Sequence, residues 1–205
     1  MGDQIEKMIE LEWQQFDKVQ NMGGRASCQD DRETFRIMRK SQFDAWSEEL
    51  CVSYYEDLLN AGKAGRNLLT EKYARMMAST DPQGYEAIRT QLPEHDPERI
   101  AIEEAIIAVQ VEWMEEFAEK YPKTAGTARR IHTYEDELTV TSYETYLRGE
   151  LGTYSDQTLE LYKKMIDDLQ MDGKNLAYHI LDNTARMYGY ASIDDAERAQ
   201  DQKRD

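Results

Sequence analysis

The sequence contains few of the residues on which disulfide frameworks and many catalytic sites depend. Among its 205 residues there are two cysteines, three histidines and four prolines. The cysteines, Cys28 and Cys51, are too few for a disulfide framework, so we expect two unpaired thiols in a reducing compartment. No apolar run approaches membrane-spanning length, and the charged N-terminal segment does not resemble a signal peptide. These absences predict a cytoplasmic protein that does not bind membranes.

Several common sequence motifs are also absent. The chain has no GxGxxG and no GxxxxGK followed by Ser or Thr, which excludes the usual nucleotide cradles. It has no CxxC or HExxH, and no histidine follows a glutamate by three residues, so standard zinc sites and carboxylate-bridged di-iron sites are excluded. A GxSxG nucleophile turn is missing as well. We therefore expect neither a cofactor nor a metal site.

Positive charge is scarce relative to negative charge. The chain has 25 Lys and Arg residues against 41 Asp and Glu residues, which gives a formal net charge of -16. A surface of this sign repels polyanions, so we expect no DNA binding and a preference for cationic partners. The basic residues that occur in groups are Arg36, Arg39 and Lys40; Lys63 and Arg66; and Arg129, Arg130 and His132.

The hydrophobic pattern is helical throughout. Apolar residues recur with a period near that of a helix, as with Ile5, Ile9 and Phe16, and no alternating strand pattern of useful length occurs. A chain of this length is expected to fold as one domain. We therefore predict an all-α fold, a single-domain multi-helix bundle over residues 1–192, followed by a polar C-terminal tail, residues 193–205, that should fray.

One long segment is predicted to be the buried central helix of the bundle. It runs from about Pro97 to Tyr121, begins with the favourable pair Asp96-Pro97, and is apolar around nearly its whole circumference. Glu112 lies inside this run, and two interpretations stay open. Either it is buried and pairs with an arginine, or the helix has one solvated stripe. The residues of that stripe are Ala105, Ala108, Glu112 and Glu115.

The glycine-led stretch 21–46 is the best candidate for a functional site. Ser27 and Asp30 have the spacing of an N-cap and its acidic partner, which predicts a helix from about Gln29 to Ala45. On the helical period, Asp30 and the aspartate after it share faces with apolar residues, so both should point towards the interior. The alternative is that the carboxylates only stabilise the first helical turn. The notable residues, in order, are Gly23, Gly24, Arg25, Ser27, Cys28, Asp30, Asp31 and Glu33.

A second polar stretch, residues 141–155, has a similar composition. Thr141 and Glu144 have the spacing of a capping box, and Gly149 and Gly152 should break this helix. The side chains between these glycines and the cap suit the wall of a pocket, although a solvated loop can have the same composition. The residues predicted to face a pocket shared with the first stretch are Tyr143, Glu144 and Arg148, and further candidate interior acids are Glu71, four residues before Arg75, and Glu112.

Five runs of the sequence resemble one known family. They are GGRASCQDD (23–31), FRIMRKSQF (35–43), NLLTEKYARMM (67–77), VEWMEEF (111–117) and TSYETYLRGELGTYS (141–155). Together they span nearly the whole chain and are similar to a bacterial and fungal family described as domain of unknown function 4125. That family in turn resembles the fungal arginine-containing cyclodipeptide synthases, which carry an acidic Asp-Asp-x-x-Glu motif. The nearest match here, Asp30-Asp31-Arg32-Glu33, is one residue shorter.

The second resemblance implies an enzyme that uses aminoacyl-tRNAs. Such an enzyme joins arginine, delivered as arginyl-tRNA, to an amino acid from a second aminoacyl-tRNA and closes a cyclic dipeptide. It implies catalytic roles for Asp30, Asp31 and Glu33. The residues then expected to bind substrate are Arg25, Ser27, Glu71, Glu112, Tyr143, Glu144 and Arg148.

The chemistry of the residues can be compared with that activity. Carboxylates hold a guanidinium in bidentate geometry, and Asp or Glu can deprotonate the amine that attacks an ester. If an acyl-enzyme forms, Ser27, Cys28 or Ser142 would carry it. The acidic net charge supports arginine recognition but opposes docking of tRNA. The alternative from another class is a non-enzymatic helical module that binds a basic peptide or partner protein through its acidic face.

Overall fold

The computed structural model describes residues 1–20 and 24–200 of the chain. Within these two ranges there are eleven α-helices and three short 3-10 helices, and the one β-type contact is an isolated bridge between Glu137 and Val140. The predicted all-α single-domain fold is confirmed. The helices are α1 (Gly2–Phe16), α2 (Arg32–Phe43), α3 (Glu48–Lys63), α4 (Leu68–Thr80), α5 (Pro82–Ile88), α6 (Pro97–Lys120), α7 (Pro122–Ala125), α8 (Tyr143–Leu151), α9 (Asp156–Met171), α10 (Leu176–Met187) and α11 (Ile193–Ala199), and the 3-10 helices are Ser27–Asp30, Arg89–Gln91 and Thr133–Glu135.

Polar side chains start most of these helices, as the sequence predicts for Asp96. Each accepts a hydrogen bond from a backbone N–H in the first turn, which satisfies a donor that the helix itself leaves free. For α2 the cap is Asp31 rather than Ser27, and for α8 it is Ser142 rather than Thr141. The caps with this bond are Asp31, Ser47, Asn67, Asp81, Asp96, Ser142, Ser155, Asn175 and Ser192.

The centre of the core is aromatic. Trp46, just after α2, is 4% exposed, and its ring lies edge-on to the rings of Phe43, Tyr54, Tyr154 and Tyr162, with centroid separations from 5.0 to 6.2 Å. Edge-to-face pairs of this kind add about 0.5–1.5 kcal/mol beyond the burial of area alone. The aromatic cluster therefore ties the C-terminal ends of α2 and α8 to α3 and α9.

Helix α6 contributes to the core through one side. Trp113 and Ile106 are 7% and 1% exposed, as expected for the inward face. The opposite side is solvated, because Ala105, Glu112 and Glu115 are all exposed. Of the two interpretations of Glu112, the solvated stripe is therefore confirmed. The helix packs on α8, α9 and α10, and its predicted burial around the full circumference is corrected to burial on that side.

Helices α4 and α8 cross at close range because of Gly149. A Cβ atom at this position would lie 2.8 Å from Cγ of Met76 and 2.9 Å from the carbonyl oxygen of Lys72. Only a residue without a side chain lets the two backbones approach this closely. The predicted helix break at Gly149 is wrong, because α8 continues to Leu151. Residues 149–154 are all buried, so the crossing carries the end of α8 into the core.

The predicted polar tail is helical over most of its length. In α11, Ile193 and Ala196 are 1% and 5% exposed and pack against Phe117 and Tyr121. The prediction that the chain frays beyond residue 192 is wrong for α11, because two apolar residues one turn apart are enough to seat a short helix. Residues 201–205 lie outside the described ranges.

The two cysteines are unpaired, as predicted. Cys28 is exposed and Cys51 is buried, and both thiols are free. Burial raises the pKa of the Cys51 thiol to about 11, which keeps it protonated and unreactive. None of the helices in the described ranges combines the length and the apolar composition required to cross a membrane.

Candidate functional site

The loop between α1 and α2 is anchored by Gln29 rather than by its acidic residues. Gln29 is 1% exposed, and its side-chain amide donates to the carbonyl oxygens of Phe16 and Val19 at 2.8 and 2.9 Å. At the start of the loop Gly24 has a φ of +87°, in the region that glycine favours. Gly23, the other member of the predicted glycine pair, lies outside the described residues.

The acidic residues of this loop face solvent. Asp30 pairs with Arg25 at 2.8 Å, and both side chains are exposed. Asp31 accepts the backbone N–H of Thr34 at 3.0 Å, and this bond lowers the pKa of Asp31. Glu33 is exposed in the first turn of α2. The prediction that the two aspartates point towards the interior is wrong, because α2 begins only after them and its helical phase does not determine their direction.

In the second stretch, Arg148 is held between two glutamates. Its guanidinium donates to Glu104 at 2.6 and 2.8 Å and to Glu144 at 2.8 Å. The bond to Glu104, followed by that to Glu144, raises the pKa of Arg148. Burial alone would raise the pKa of Glu144, but the hydrogen bonds from Arg148 and the backbone N–H of Thr133 lower it. The pair with Glu104 joins the last turn of α8 to α6.

Two further predicted residues have partners elsewhere. Glu71 is buried and accepts both arms of Arg66 at 2.8 and 2.6 Å, rather than pairing with Arg75. The Tyr143 hydroxyl donates to the side-chain oxygen of Gln110 at 3.2 Å. Both contacts fix helices to one another or to the loop before α4.

The two candidate stretches make separate contacts. Within the described part of the chain, no hydrogen bond or ion pair joins Asp30, Asp31 or Glu33 to residues 141–155. Glu112 is on the solvated face of α6. The roles of these residues in binding or catalysis stay predictions.

A buried ionic cluster lies at the crossing of α4 and α8, and it was not predicted from the sequence. Its centre is Glu150, which is 5% exposed. Glu150 accepts hydrogen bonds from Lys72 at 2.6 Å, Gln42 at 2.9 Å, Tyr154 at 3.1 Å and Arg39 at 3.2 Å. Burial alone would raise the pKa of Glu150, but the charges of Arg39 and Lys72 hold it well below its usual range.

Arg39 extends the cluster to α1 and α3. Its guanidinium binds Glu12 in bidentate geometry, with both distances 2.6 Å, and Glu12 is 0% exposed. Glu12 also accepts the Tyr54 hydroxyl at 2.7 Å. With Glu150 and Lys72, the cluster balances two carboxylates against two cations. Removing one partner from a buried pair costs about 3–5 kcal/mol, so each member is strongly constrained by the others.

The sequence contains an indication of this cluster, because two charged residues fall on otherwise apolar helix faces. Glu12 falls on the same helical face as Met8 and Phe16, and Lys72 falls on the buried face of α4. A charged residue on an apolar stripe must find a partner in the core. That observation predicts that such residues pair, but only the packing of the helices shows which ones meet.

Lys72 connects the buried cluster to two tyrosines. Its ammonium nitrogen lies 3.6 Å from the ring centroid of Tyr146. The ring of Tyr73 lies edge-on to the ring of Tyr146, with a centroid separation of 6.4 Å. Both phenols are half-buried, so the pair forms the outer end of the polar cluster.

The two phenols differ in their electrostatic environment. Burial alone would raise the pKa of Tyr146, but the positive charges of Lys72 and Arg39 lower it. Burial and the neighbouring phenol raise the pKa of Tyr73. Tyr146 is therefore the phenol of the pair that loses its proton more readily.

Arg129 and Cys28 lie at the outer end of this pair. The guanidinium carbon of Arg129 is 4.6 Å from the ring centroid of Tyr146. Cys28 is exposed, and it is close enough to Tyr73 for a charge on its sulfur to raise the pKa of that phenol. We refer to Lys72, Tyr73, Tyr146 and Arg129 as the tyrosine site.

The three predicted acyl carriers occupy different environments. Ser142 is 0% exposed, and its hydroxyl caps α8. Ser27 and Cys28 are both exposed in the 3-10 helix beside the tyrosine site. Ser142 is therefore committed to structure, and a substrate can reach the other two.

A polar cleft of about 580 Å³ lies between the end of α3 and the start of α6. The guanidinium of Arg99 pairs there with Glu103 at 2.9 Å and with Asp156 at 2.5 Å. His95 contacts Glu103 through Nδ1 at 3.1 Å and Arg75 through Nε2 at 3.0 Å. Because both nitrogens of His95 are engaged, this cleft is a weaker candidate for catalysis than the tyrosine site.

Within residues 1–20 and 24–200, no three histidine, cysteine, aspartate or glutamate side chains are grouped so that they could hold a metal ion.

Comparison with known proteins places the chain in one family. No curated protein and no solved structure matches the chain. A family model described as "Protein of unknown function (DUF4125)" matches residues 3–198. The chain belongs to the DUF4125 family.

Proposed function

We propose that this protein is an enzyme that forms peptide bonds from aminoacyl esters, with Tyr146 as its acid–base group. One observation carries the proposal: a half-buried phenol stands beside a buried ammonium at the open end of an ionic cluster. Groups whose ionisation is tuned by a fixed neighbouring charge are concentrated at catalytic sites. A phenol in this position can both take and return a proton.

The reaction is a transfer of an acyl group from oxygen to nitrogen. The phenolate of Tyr146 takes a proton from the attacking amine while the nitrogen bonds to the ester carbonyl carbon. The bond from that carbon to the ester oxygen then breaks, and the phenol returns the proton to the leaving oxygen. The products are an amide and an alcohol, and Tyr146 ends in its starting state. A second transfer within the dipeptidyl ester closes a ring by the same steps.

The buried cluster gives Lys72 its position and its charge. Glu150 accepts from the ammonium at 2.6 Å, and Arg39 and Glu12 fix Glu150 from the other side. These contacts hold the ammonium beside the Tyr146 ring. Preorganised charge of this kind stabilises a developing phenolate without rearrangement during the reaction.

The proposed substrate is arginyl-tRNA, with a second aminoacyl-tRNA as the other reactant. The charge balance of the chain supports this choice, because 41 Asp and Glu residues against 25 Lys and Arg residues favour a cationic amino acid. Carboxylates are the partners that hold a guanidinium in bidentate geometry. Reactants of this class also imply a cytoplasmic location.

The test is a reaction with purified components. The protein is incubated with arginyl-tRNA and a set of second aminoacyl-tRNAs, and the products are separated and identified by mass spectrometry. We expect a cyclic dipeptide that contains arginine, and none from the Glu150→Gln variant at equal concentration of folded protein. Absence of any peptide product with every aminoacyl-tRNA pair would overturn the proposal.

A second candidate function is supported by the outer face of α6. Glu104, Glu112 and Glu116 are exposed along one side of this helix. An acidic face of this length suits the binding of a basic peptide, as a non-enzymatic module would require. Titration with a labelled arginine-rich peptide separates the two functions. The module predicts that Glu112→Lys and Glu116→Lys weaken binding, whereas the enzyme predicts no effect of either change on product formation.

A further inference from the structure

A cleft of about 440 Å³ opens between the end of α6 and the loop that follows α7. Its floor is apolar, with Met114, Phe117 and Leu181, and Ile131 closes one side. We refer to this concavity as the loop cleft. Its volume suits a group of the size of a nucleoside or a small peptide side chain.

An exposed aromatic platform borders the loop cleft. Tyr134 is 83% exposed, and its ring is stacked on His132 with a centroid separation of 4.9 Å and an interplanar angle of 11°. The imidazole therefore fixes the orientation of the tyrosine, while the rest of the ring is open to solvent. A large exposed aromatic side chain held flat by a neighbour is a natural stacking surface for a planar ligand.

Two arginines stand on the rim. Arg129 donates to a backbone carbonyl oxygen and makes no ion pair within the described part of the chain. Arg130 pairs with Glu137 at 2.8 Å. The other acids at the rim are also occupied: Glu135 accepts the backbone N–H of His132, and Glu115 contacts the His132 ring at 3.1 Å. The rim thus offers one unpaired cation, Arg129, in a chain whose formal charge is -16.

The same arginine joins the loop cleft to the tyrosine site. Arg129 lines the cleft and also lies 4.6 Å from the ring centroid of Tyr146. A ligand whose anionic group binds Arg129 therefore has its neighbouring atoms next to the proposed acid–base group. An aminoacyl ester on the terminal ribose of an RNA has this layout, with base, phosphate and reactive ester within one nucleotide.

We propose that the loop cleft binds the 3′-terminal nucleotide of an RNA, with the base on Tyr134 and the phosphate on Arg129. This inference rests on the proposed function, and it assigns the 3′ end of the aminoacyl-tRNA substrate to the loop cleft. It also accounts for how an acidic protein can hold RNA: only a terminal nucleotide is bound, so the rest of the polyanion stays away from the acidic surface.

The test measures binding without chemistry. A short fluorescent single-stranded RNA ending in CCA is titrated with the full-length protein, and adenosine monophosphate is used as a competitor. We expect Tyr134→Ala to weaken binding of the RNA about tenfold, the size of one lost base stack. Tyr188→Ala, which removes another exposed tyrosine (51%) outside the cleft, should bind as the wild type does.

The arms of the experiment separate the possible ligands. Competition by adenosine monophosphate at the same site supports recognition of the terminal nucleotide, and binding of the free nucleotide with no binding of the RNA would overturn the inference. Equal losses in Tyr134→Ala and Tyr188→Ala would overturn it too. The inference would also be overturned if the protein bound an arginine-rich peptide instead of RNA and the Tyr134→Ala change abolished that binding.

A kinetic arm distinguishes this inference from the proposed function. Arginine methyl ester carries the reactive ester without the nucleotide. If the proposed function and the cleft assignment are both right, Tyr134→Ala slows the reaction of arginyl-tRNA and leaves the reaction of arginine methyl ester unchanged. If wild-type protein makes peptide from the methyl ester but binds no RNA, the inference fails and the acyl-transfer function stands. If RNA binds as expected and neither ester reacts, the function fails and the cleft assignment stands.

Discussion

The ammonium of Lys72 lies 3.6 Å from the ring centroid of Tyr146 while it donates to Glu150 at 2.6 Å. Lys72 is on α4 and Tyr146 on α8, and Gly149 permits the close crossing of the two helices. The lysine therefore transmits the constraint of a buried ionic cluster to a phenol near the surface. This relationship links the stability of the core to the chemistry of the tyrosine site.

Replacing Lys72 by methionine should raise the pKa of Tyr146, because the positive charge that favours its phenolate is removed. Ultraviolet difference titration checks this, with Tyr146→Phe in the same background used to assign the signal. Lys164→Met is the matched control, since Lys164 is exposed and, among the described residues, pairs with Asp168 alone. An unchanged titration in Lys72→Met would show that Lys72 does not tune the phenol.

Replacing Glu150 by glutamine should lower the free energy of unfolding at pH 7 by about 3–5 kcal/mol, because Arg39 and Lys72 lose a buried partner. The pKa of Glu150 is depressed in the folded state. The contribution of the Glu150 carboxylate to the free energy of unfolding is therefore fully present above the pKa of an unfolded glutamate, about 4.3, and is lost as the pH falls below that value.

Denaturant unfolding at several pH values tests the effect of Glu150. The wild type should lose stability steeply as the pH falls below about 4.3, and the glutamine variant should show a shallower loss over the same range. Glu33→Gln, which changes an exposed residue, serves as the control and should follow the wild type. Parallel pH profiles for wild type and Glu150→Gln would contradict the assigned pKa direction.

Gly149→Ala should reduce stability by about 1–3 kcal/mol, the usual cost of an overpacked contact. The new methyl group would meet Met76 and the backbone oxygen of Lys72, and the backbone contact cannot yield. Gly62→Ala in α3 is the control, because nothing lies within 4 Å of its Cβ position. Thermal melts of both variants check this, and equal melting temperatures would refute the close crossing.

Asp31→Asn tests whether this aspartate is a cap or a catalytic group. Asparagine caps helices as well as aspartate does, so the contact to Thr34 predicts a melting temperature close to that of the wild type and full product formation. Asp31→Ala should lower the melting temperature and still form product. Loss of product in a fully folded Asp31→Asn variant would instead support the catalytic role implied by the acidic motif.

Most of the fold could be predicted from sequence patterns that lie within single helices. Caps such as Asp96 and apolar stripes such as that of α1 are local features, so they were predictable, whereas the sequence left open whether Glu112 is buried or solvated. Helix α11 was not, because Ile193 and Ala196 form a short apolar face that only contacts with Phe117 and Tyr121 make stable. Tertiary burial decided that element.

The site followed from the sequence only in part. Both predicted stretches border the tyrosine site, since Cys28 belongs to the first and Tyr146 to the second. The acids chosen from helical phase face solvent, because Asp30 and Asp31 precede the helix whose phase was used to orient them. Glu12 and Glu150, which Arg39 bridges, are far apart in sequence, and no local pattern brings them to one arginine.

The most direct test of the proposed function is the rate of peptide formation by Tyr146→Phe with arginyl-tRNA and a second aminoacyl-tRNA. The change removes one hydroxyl and keeps the ring that Lys72 contacts. A catalytic acid–base role predicts a loss of at least about 100-fold, with the melting temperature nearly unchanged and with Tyr188→Phe as active as the wild type. A Tyr146→Phe variant that forms peptide at the wild-type rate would contradict the assignment of Tyr146.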